Sequence, residues 1–308
     1  MTAIAITGAS GFVGRHLVRA AATAGHEVTG LVRSARAAEL VREAGGRPEA
    51  LGDEPAALAG SLEGCRAIVH LAQIGAECFG QTYEAVNVGL TARVLEAAKR
   101  ADVIRIVLFS GLGVARYGQS RRVTSRYFLS KLQAETLAFG SGLEAVVFRP
   151  SYVVGPGDAF VASVLRAMAA GEVERPGDGS YRMQPIAVAD AAAAVLAAIA
   201  RPAGAFPTAF DLVGPEAIPY ARLLERLEGV ARGLGRPERL RVREVEIEHA
   251  ERQARSGAGY QGMREDELDC LLCDEVADHA PLEALLARRL IPLDEALAAA
   301  VRAAPVNA

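Results

Sequence analysis

The first fourteen residues constrain the fold more than any other part of the chain. A short apolar run, Ala3–Ile6, is followed at residues 7–14 by Thr-Gly-Ala-Ser-Gly-Phe-Val-Gly. In such a pattern Gly8 allows a sharp exit from a strand, and Gly11 lets a ligand approach the backbone. Gly14 lets the next helix pack close to the sheet. The pattern predicts a strand, a turn and a helix whose unpaired N–H groups bind phosphate.

The residues after this turn indicate that the phosphate belongs to a dinucleotide. Helical spacing of apolar residues predicts a helix over Phe12–Ala24, and His26–Val32 reads as a second strand. A strand-turn-helix unit without a ligand is the alternative. The expected contacts of the dinucleotide in this region are Gly8, Ser10, Gly11, Phe12, Val13 and Gly14.

The end of the second strand bears on which nicotinamide cofactor binds. Sites for NAD usually place an acidic residue here, whereas arginine suits the 2′-phosphate of NADP. Arg33 and Arg36 stand at this point, with Arg15 nearby. They favour NADP over NAD, and two solvated arginines at a helix start are the alternative.

The composition limits the classes of molecule that the chain is expected to bind. The 308 residues carry a net charge of −3, and half of them are apolar. This balance gives no electrostatic case for nucleic acid or an anionic membrane, and no stretch is long and apolar enough to span a bilayer. The chain enters a strand at once, so no signal peptide is expected. A small-molecule partner and a cytoplasmic location are therefore expected.

Two of the four cysteines form a Cys-x-x-Cys pair, Cys270 and Cys273. Zinc would require two further ligands, and only His279 lies nearby, so no metal site is predicted. A redox dithiol is one interpretation of the pair. The other, which we favour, is that both thiols pack as small hydrophobic side chains.

Alternating strands and helices predict an α/β fold. A doubly wound parallel sheet of the Rossmann type is expected for residues 1–150, joined by later strands from about 183–215, with a smaller substrate-covering region over residues 151–308. The predicted elements after the first two strands are helices over 33–45, 55–62, 83–100 and 125–139, and strands over 48–51, 67–71, 104–110 and 145–148.

The second half gives weaker signals. Residues 160–170 and 223–234 are predicted helices, 240–247 an edge strand, and 282–304 a helix with a break at Pro292. The polar, glycine-containing residues 249–267 predict a mobile loop. The acidic residues of 264–269, with Asp274 and Glu275, are interpreted as a solvated face.

A tyrosine and a lysine stand four residues apart in the predicted helix 125–139. This spacing places Tyr127 and Lys131 on one helix face. A nearby ammonium is expected to lower the pKa of the phenol, which would then exchange a proton with a substrate hydroxyl while the lysine reaches the nicotinamide ribose. A coincidental pair on a helix is the alternative.

These features resemble the extended or atypical short-chain dehydrogenases/reductases of the NAD-dependent epimerase/dehydratase group. The resemblance covers residues 2 to about 220. The motifs that carry it are Thr7–Gly14, Gly52-Asp53, Val69-His70-Leu71-Ala72, Val86-Asn87-Val88, Leu108-Phe109-Ser110, Tyr127 with Lys131, Arg149-Pro150-Ser151 through Gly155-Pro156-Gly157, and Val188-Ala189-Asp190.

The resemblance implies roles for several of these residues. Asp53 would lie near the adenine, and Leu71 and Ala72 would line the cofactor. Lys131 would hold the ribose, and Tyr127 would be the acid/base. His70 would be structural. In this group the helices over 83–100 and 125–139 often form a dimer interface, so a homodimer is one implied state.

One position departs from the family. Sugar-nucleotide epimerases of this group end the fifth strand in consecutive serines, the last of which polarises the substrate. Here the run is Ser110-Gly111-Leu112, and Leu112 takes that last place. Three alternatives follow: Ser110 supplies the hydroxyl, Thr124 or Ser125 reaches into the site, or the hydride chemistry is weak or lost. The segment also resembles NmrA-like redox sensors and the nucleotide-binding accessory subunit of respiratory complex I.

The loop before Tyr127 is rich in arginine. It contains Arg116, Arg121, Arg122 and Arg126. Arginines that converge could clamp a substrate phosphate or carboxylate, and a solvated basic loop is the equal alternative.

Two functions remain open from the sequence. The first is an NADP(H)-dependent oxidoreductase or epimerase that acts on a small metabolite with a hydroxyl or carbonyl group, with Tyr127, Lys131 and Ser110 as catalytic residues. The second is a non-catalytic NADP(H)-binding redox sensor or assembly subunit.

Overall fold

Seven parallel strands form the central sheet of the computed structural model, which describes residues 2–202, 204–205, 208–236 and 239–305. Residues 203, 206–207, 237–238 and 306–308 of the predicted C-terminal region lie outside the described part. The strands of the central sheet are β1 Ala3–Thr7, β2 Glu27–Val32, β3 Arg47–Ala50, β4 Ala67–His70, β5 Arg105–Phe109, β6 Glu144–Pro150 and β11 Thr208–Leu212. The remaining strands pair in two-stranded sheets and are β7 Val153–Val154, β8 Val173–Pro176, β9 Arg182–Met183, β10 Ile186–Ala187, β12 Ile218–Pro219 and β13 Val242–Val245.

The helices alternate with the strands through the first half and dominate the second. They are α1 Phe12–Thr23, α2 Ala35–Glu43, α3 Pro55–Gly60, α4 Leu90–Arg100, α5 Arg126–Phe139, α6 Ala159–Ala170, α7 Val188–Ala200, α8 Tyr220–Gly233, α9 Ile247–Ala254, α10 Glu265–Leu272, α11 Ala280–Leu286 and α12 Leu293–Ala303. A π-helical turn, Glu84–Gly89, leads into α4.

The strand order is β11-β6-β5-β4-β1-β2-β3, and every neighbouring pair is parallel. The order reverses beside β1, so the carboxyl ends of β1 and β4 border a crevice in which ligands of such sheets bind. This arrangement confirms the predicted doubly wound parallel sheet.

Helices cover both faces of the sheet, which explains why its central strands are apolar throughout. One face packs against α1 and α7, and the other packs against α3, α4 and α5. The second half builds a separate apolar core from residues of α6, α8, α10 and α12. We call α9, α10 and residues 273–277 the cap, because they lie over the carboxyl end of β5 and the start of α5.

The structure changes several boundaries in the second half. Residues 249–267 hold most of α9 and the start of α10, not a loop. The strand predicted over 240–247 is shorter and pairs with β8 in a separate two-stranded sheet. The break predicted at Pro292 is present, because Pro292 is the residue before α12.

Asp190 anchors the C-terminal segment to the sheet layer. It is fully buried in the first turn of α7. Its carboxylate accepts from the Ile291 N–H at 2.7 Å and pairs with Arg288 at 2.7 Å. The buried charge is therefore matched, as buried acids in proteins usually are. Among the described residues, no helix is both long enough and apolar enough to cross a membrane.

Candidate active site

The glycine turn lies against the end of β4. Gly8 has φ of +68°, and a Cβ there would lie 2.8 Å from the Ala72 nitrogen. A Cβ on Gly14 would lie 2.2 Å from the Gly8 oxygen. Neither position accepts a side chain without moving backbone, so the turn holds β1, α1 and the residues Leu71 and Ala72 together.

The start of α1 is open to an anion. Gly11 is the N-cap, no side chain caps the helix, and no acidic residue lies in its first turn. Gly11 is exposed, whereas Ser10, Phe12 and Val13 are half-buried. The first N–H groups of α1 therefore have no internal partner and carry the positive end of the helix dipole. With the glycine cradle, this fits the pyrophosphate of a dinucleotide.

A second part of the crevice lies at the ends of β2 and β3. A cavity of about 520 Å³ is lined there by Arg33, Ser34, Arg42 and Asp53, among others. The hydroxyl of Ser34 accepts from the Ala37 N–H and so caps α2. Arg33 is exposed and forms no ion pair among the described residues. Arg36 is exposed as well but does not line this cavity.

A chain of hydrogen bonds fixes the turn after β4. The Ala72 N–H donates to Thr7 Oγ1 at 3.2 Å, and Thr7 Oγ1 lies 2.7 Å from His70 Nδ1. The Thr91 hydroxyl donates to the Asn87 carbonyl at 2.6 Å and lies 3.0 Å from His70 Nε2. Thr91 therefore accepts from Nε2–H, and Nδ1 accepts from Thr7. Because Nδ1 accepts a hydrogen bond it carries no proton, so the imidazole ring of His70 must be neutral. Burial, with the charge of the nearby lysine, lowers the pKa of His70 to about 3.

Tyr127 and Lys131 face the carboxyl ends of the central strands. The hydroxyl of Ser125 caps α5 by accepting from the Phe128 N–H. Lys131 is buried, and its ammonium donates to the Phe109 carbonyl at 2.5 Å and to the side chain of Gln73. A Cβ built on Gly111 would lie 3.7 Å from Tyr127 Cε1, so the phenol ring stands over the residue after Ser110.

The electrostatics of the pair differ from the expectation. Burial raises the pKa of Tyr127 above its ordinary value, and the thiol of Cys270 and the cap carboxylates act in the same direction. Burial lowers the pKa of Lys131 to about 7, whereas the negative charge of Glu135 acts to raise it. The direction for Tyr127 is therefore opposite to the expectation, because burial of the phenol raises its pKa.

The hydroxyl at the end of β5 is buried. Ser110 is fully buried, and its N–H donates to the Phe148 carbonyl at 2.7 Å. Its Oγ has no hydrogen-bond partner among the described residues. Leu112, only 2 % exposed, packs in the turn that follows. Thr124 is exposed and donates to the Arg121 carbonyl, so it does not take the place of the missing hydroxyl.

The cap covers Tyr127, and sequence reasoning missed this. Asp266 of α10 accepts from the hydroxyl of Tyr83 at 2.7 Å, and the ring of Tyr83 packs edge-on to that of Tyr127. Cys270 and Cys273 pack in the same cluster as Phe128. Burial raises the pKa of Cys273 to about 12, so its thiol stays protonated at neutral pH. The cysteines therefore pack as small hydrophobic side chains.

The acidic residues around α10 are not a solvated face. Asp269 pairs with Arg122, and Glu275 is only 9 % exposed. The interpretation from the sequence was wrong because the cap folds back onto the first half of the chain. No periodic pattern in residues 264–275 signals that long-range contact.

The loop arginines do not converge on one anion site. Arg121 and Arg122 both pair with Glu251, and Arg126 donates two hydrogen bonds to Glu77 at 2.7 and 3.1 Å. Arg116 donates to the carbonyl of Asp274. A cavity of about 790 Å³ nevertheless lies beside this loop, with its wall formed in part by Arg116, Arg122, Ser180, Cys273 and Asp274.

Comparison with known proteins agrees with this geometry. The profile of the NAD dependent epimerase/dehydratase family matches residues 4–211. A 4-hydroxy-2-methyl-3-oxo-4-farnesyl-3,4-dihydroquinoline-1-oxide ketoreductase of Stigmatella aurantiaca is 30% identical over 75% of this chain and 74% of its own. A mitochondrial NADH dehydrogenase [ubiquinone] 1 alpha subcomplex subunit 9 of Arabidopsis thaliana is 26% identical over 71% of this chain and 56% of its own.

Solved structures show the same fold over nearly the whole chain. The UDP-glucuronic acid 4-epimerase of Bacillus cereus, in complex with UDP-glucuronic acid and NAD, superposes with a TM-score of 0.74 at 18% identity. The match covers 98% of both chains. The family profile spans the glycine turn, the end of β4, and the helix that carries Tyr127 and Lys131. The chain therefore belongs to the NAD dependent epimerase/dehydratase family.

Proposed function

We propose that the protein is an NADP(H)-dependent ketoreductase in which Tyr127 donates the proton to the substrate carbonyl. The placement of Tyr127 and Lys131 on one face of α5, over the end of β5, carries this proposal. The Stigmatella relative, a ketoreductase, favours reduction over epimerisation. The cavity of about 790 Å³ beside the cap is large enough for a small organic substrate.

The described residues fit the cofactor. The backbone N–H groups at the start of α1 hold the pyrophosphate, and Lys131 with Gln73 holds the nicotinamide ribose. Arg33 and Arg42 bind the 2′-phosphate in the cavity at the ends of β2 and β3, where Asp53 lies near the adenine. The reduced nicotinamide supplies the hydride when it is bound.

The protonation states suit reduction. A donor must carry its proton at the operating pH, and the raised pKa of Tyr127 ensures this. The pKa of Lys131 near 7 means that its side chain can both release and take up a proton close to neutral pH. Ser110, at the end of β5, orients the carbonyl through its unpartnered hydroxyl.

Replacement of the phenol tests this function. In Tyr127→Phe we expect kcat for NADPH-dependent ketone reduction to fall by about three orders of magnitude, since the proton donor is lost. NADPH affinity, measured by fluorescence titration, should change less than about threefold. Tyr117→Phe, in the neighbouring loop, is the matched control. Full activity in Tyr127→Phe would remove this residue from the mechanism.

Replacement of the arginine at the end of β2 tests the cofactor choice. Arg33→Ala should raise the KM for NADPH by about tenfold and leave that for NADH unchanged, because a charged hydrogen bond to the 2′-phosphate is lost. Arg36→Ala, which alters an exposed arginine outside the cavity, is the control. An equal effect on both cofactors, or a native preference for NADH, would contradict the assignment.

The structure also favours one alternative function, a non-catalytic NADP(H)-binding subunit. Leu112 is buried where the related epimerases carry a hydroxyl, and the Arabidopsis relative is a subunit of a larger complex. NADPH oxidation by the purified protein separates the two functions. Tight NADPH binding with no oxidation across ketone substrates would favour the subunit.

A further inference from the structure

Glu275 is a buried acid that the proposed proton transfer does not use. It follows α10, and its side chain is 9 % exposed in total. The backbone on both sides is fixed, since the Glu275 N–H donates to the Arg182 carbonyl at 2.8 Å and the Ala277 N–H donates to Gln184 Oε1 at 2.9 Å. These bonds fix the position of the backbone from which the Glu275 side chain extends.

The carboxyl group of Glu275 points towards the carboxyl end of β6. Ser151 is the residue directly after β6, and its hydroxyl lies 3.3 Å from Glu275 Oε2. The same hydroxyl accepts from the Gln184 N–H at 3.2 Å. Among the described residues this hydroxyl is the only hydrogen-bond partner of the carboxyl group. An ionised carboxylate offers about four acceptor positions, so most of them remain unused.

Three other buried acids have at least two partners each. Glu135 accepts two hydrogen bonds from Arg149, Asp190 accepts from the Ile291 N–H and pairs with Arg288, and Asp158 accepts from the Tyr152 hydroxyl and the Phe160 N–H. The Glu275 carboxyl group has one partner and forms no ion pair among the described residues. A buried acid kept only for stability would be expected to have a fuller set of partners. The missing donor is therefore expected to come from a ligand.

Glu275 lies close to the cluster that contains the phenol of Tyr127. Cys273, two residues before Glu275, packs in this cluster with Tyr127 and Phe128, and the charge of Glu275 acts to raise the pKa of Tyr127. The positive charge of Arg116, in the turn after β5, acts to lower the pKa of Glu275, but the two side chains form no ion pair. Arg116 and Cys273 also line the cavity of about 790 Å³, as does Asp274, the residue before Glu275.

We propose that Glu275 determines substrate specificity: its carboxyl group accepts a hydrogen bond from a hydroxyl on the carbon next to the carbonyl that Tyr127 protonates. This inference rests on the ketoreductase function proposed above. The substrate class is then an α-hydroxy ketone with an apolar substituent. The name of the Stigmatella relative contains a hydroxyl and an oxo group on adjacent ring positions, 4 and 3.

Paired ketones test the proposal. The probes are 1-hydroxy-2-octanone and 2-octanone, which differ only in the hydroxyl. We expect the wild-type protein to prefer the hydroxy ketone by about tenfold or more in kcat/KM, mainly through KM, as for a hydrogen bond to a charged group. The preference should fall below about threefold in Glu275→Gln and disappear in Glu275→Leu. An unchanged preference in both variants, or none in the wild type, would overturn the proposal.

Controls separate recognition from folding. Glu265→Gln removes a half-exposed carboxylate from α10, the helix before Glu275, where Glu265 pairs with Arg255, and should keep the wild-type preference. Each variant is also melted thermally. Glu275→Gln should be at least as stable as the wild type at neutral pH, because a buried carboxylate is replaced by a neutral amide of the same shape.

A binding measurement separates this proposal from the proposed function. If the wild-type protein reduces neither ketone, the ketoreductase function fails, and both ketones are titrated calorimetrically into the protein saturated with NADP⁺. Tighter binding of the hydroxy ketone that is lost in Glu275→Gln supports recognition by Glu275. Equal affinities, or binding of neither ketone at millimolar concentration, overturn it.

Discussion

Ser110 is the residue whose role most depends on its immediate surroundings. Its hydroxyl is fully buried and has no partner among the described residues, and the buried residue two positions later, Leu112, offers no hydroxyl group. A buried hydroxyl without a partner costs free energy, so it persists where a ligand completes it or where strain is tolerated. The structure therefore leaves Ser110 as the candidate that orients the carbonyl.

Truncation of Ser110 distinguishes these two explanations. Ser110→Ala removes an unpartnered hydroxyl, so the unfolding free energy should stay within about 0.5 kcal/mol of wild type or rise. If Ser110 orients the carbonyl, kcat should fall by about tenfold to a hundredfold with unchanged NADPH affinity. Denaturant unfolding and steady-state kinetics measure both. Wild-type kcat in the variant would show that the hydroxyl does not orient the substrate.

Local patterns were enough to locate some site residues and not others. The glycine turn and the Tyr127–Lys131 spacing are short motifs within one or two elements, so the sequence predicts their positions. The roles of the glycine turn in cofactor binding and of Tyr127 and Lys131 in catalysis remain predictions. Glu275 has no such signal, because acidic neighbours make it look solvated. Its burial arises only when the cap packs against residues more than a hundred positions earlier.

At the scale of elements, two polar contacts position α5. Glu135 of α5, only 3 % exposed at the side chain, pairs with Arg149 of β6. Asn87 donates to the hydroxyl of Ser130 at 3.0 Å and exchanges two hydrogen bonds with the backbone of Ile74. These contacts join α5 to the sheet and to the π-helical turn, so they set where Tyr127 and Lys131 stand.

Loss of the Glu135–Arg149 pair should destabilise the whole sheet layer. Arg149→Leu leaves the Glu135 carboxylate buried without its partner, and we expect the unfolding free energy to fall by about 3 kcal/mol. The double variant Glu135→Gln with Arg149→Leu should recover part of this loss, because the uncompensated charge is gone. Guanidinium denaturation measures both. A double variant less stable than Arg149→Leu would contradict this account.

The sequence predicts best the strands and helices whose formation depends on residues within or next to the element. β1, β5 and α1 follow from apolar periodicity bounded by glycine, and their predicted bounds differ from the structure by one residue. The two-residue strands β7, β9 and β12 exist only because distant segments pair. No local pattern encodes them. The same holds for α9, whose surroundings in sequence are polar on both sides.

At the scale of the whole molecule, the cap and the sheet layer meet at a surface that contains an ionisable group. Burial raises the pKa of Glu275 to about 7, with Ser151 and Arg116 acting weakly against the shift. In the unfolded chain the pKa of a glutamate is about 4.3. Between these values the folded protein holds a proton that the unfolded chain has released, so stability falls as pH rises through this window.

The pH dependence of stability should therefore change in a defined direction. From about pH 4.5 to pH 7 the wild type should lose on the order of 2 to 3 kcal/mol of unfolding free energy relative to Glu275→Gln. Urea unfolding of both proteins at several pH values measures the difference. The curves should run parallel below pH 4. Parallel curves across the whole range would show that Glu275 ionises normally in the folded state.

The overall architecture could be predicted because alternating strands and helices leave few topologies. Crossover connections are right-handed, and a parallel sheet needs helices on both faces, so the first half follows almost directly. The arrangement of the second half could not be predicted, since it depends on how α6, α8, α10 and α12 bury one another. The cavity of about 790 Å³ is lined by residues of both halves, which is why the sequence does not define it.

The bare start of α1 has a practical consequence. Its free N–H groups and uncompensated dipole attract any small oxyanion, not only a pyrophosphate. Phosphate and sulfate ions from the buffer therefore compete with the nucleotide for the N–H groups at the start of α1. Dissociation constants measured in such buffers will exceed those in chloride solutions of equal ionic strength, and crystals grown from sulfate will have that ion seated at Gly11.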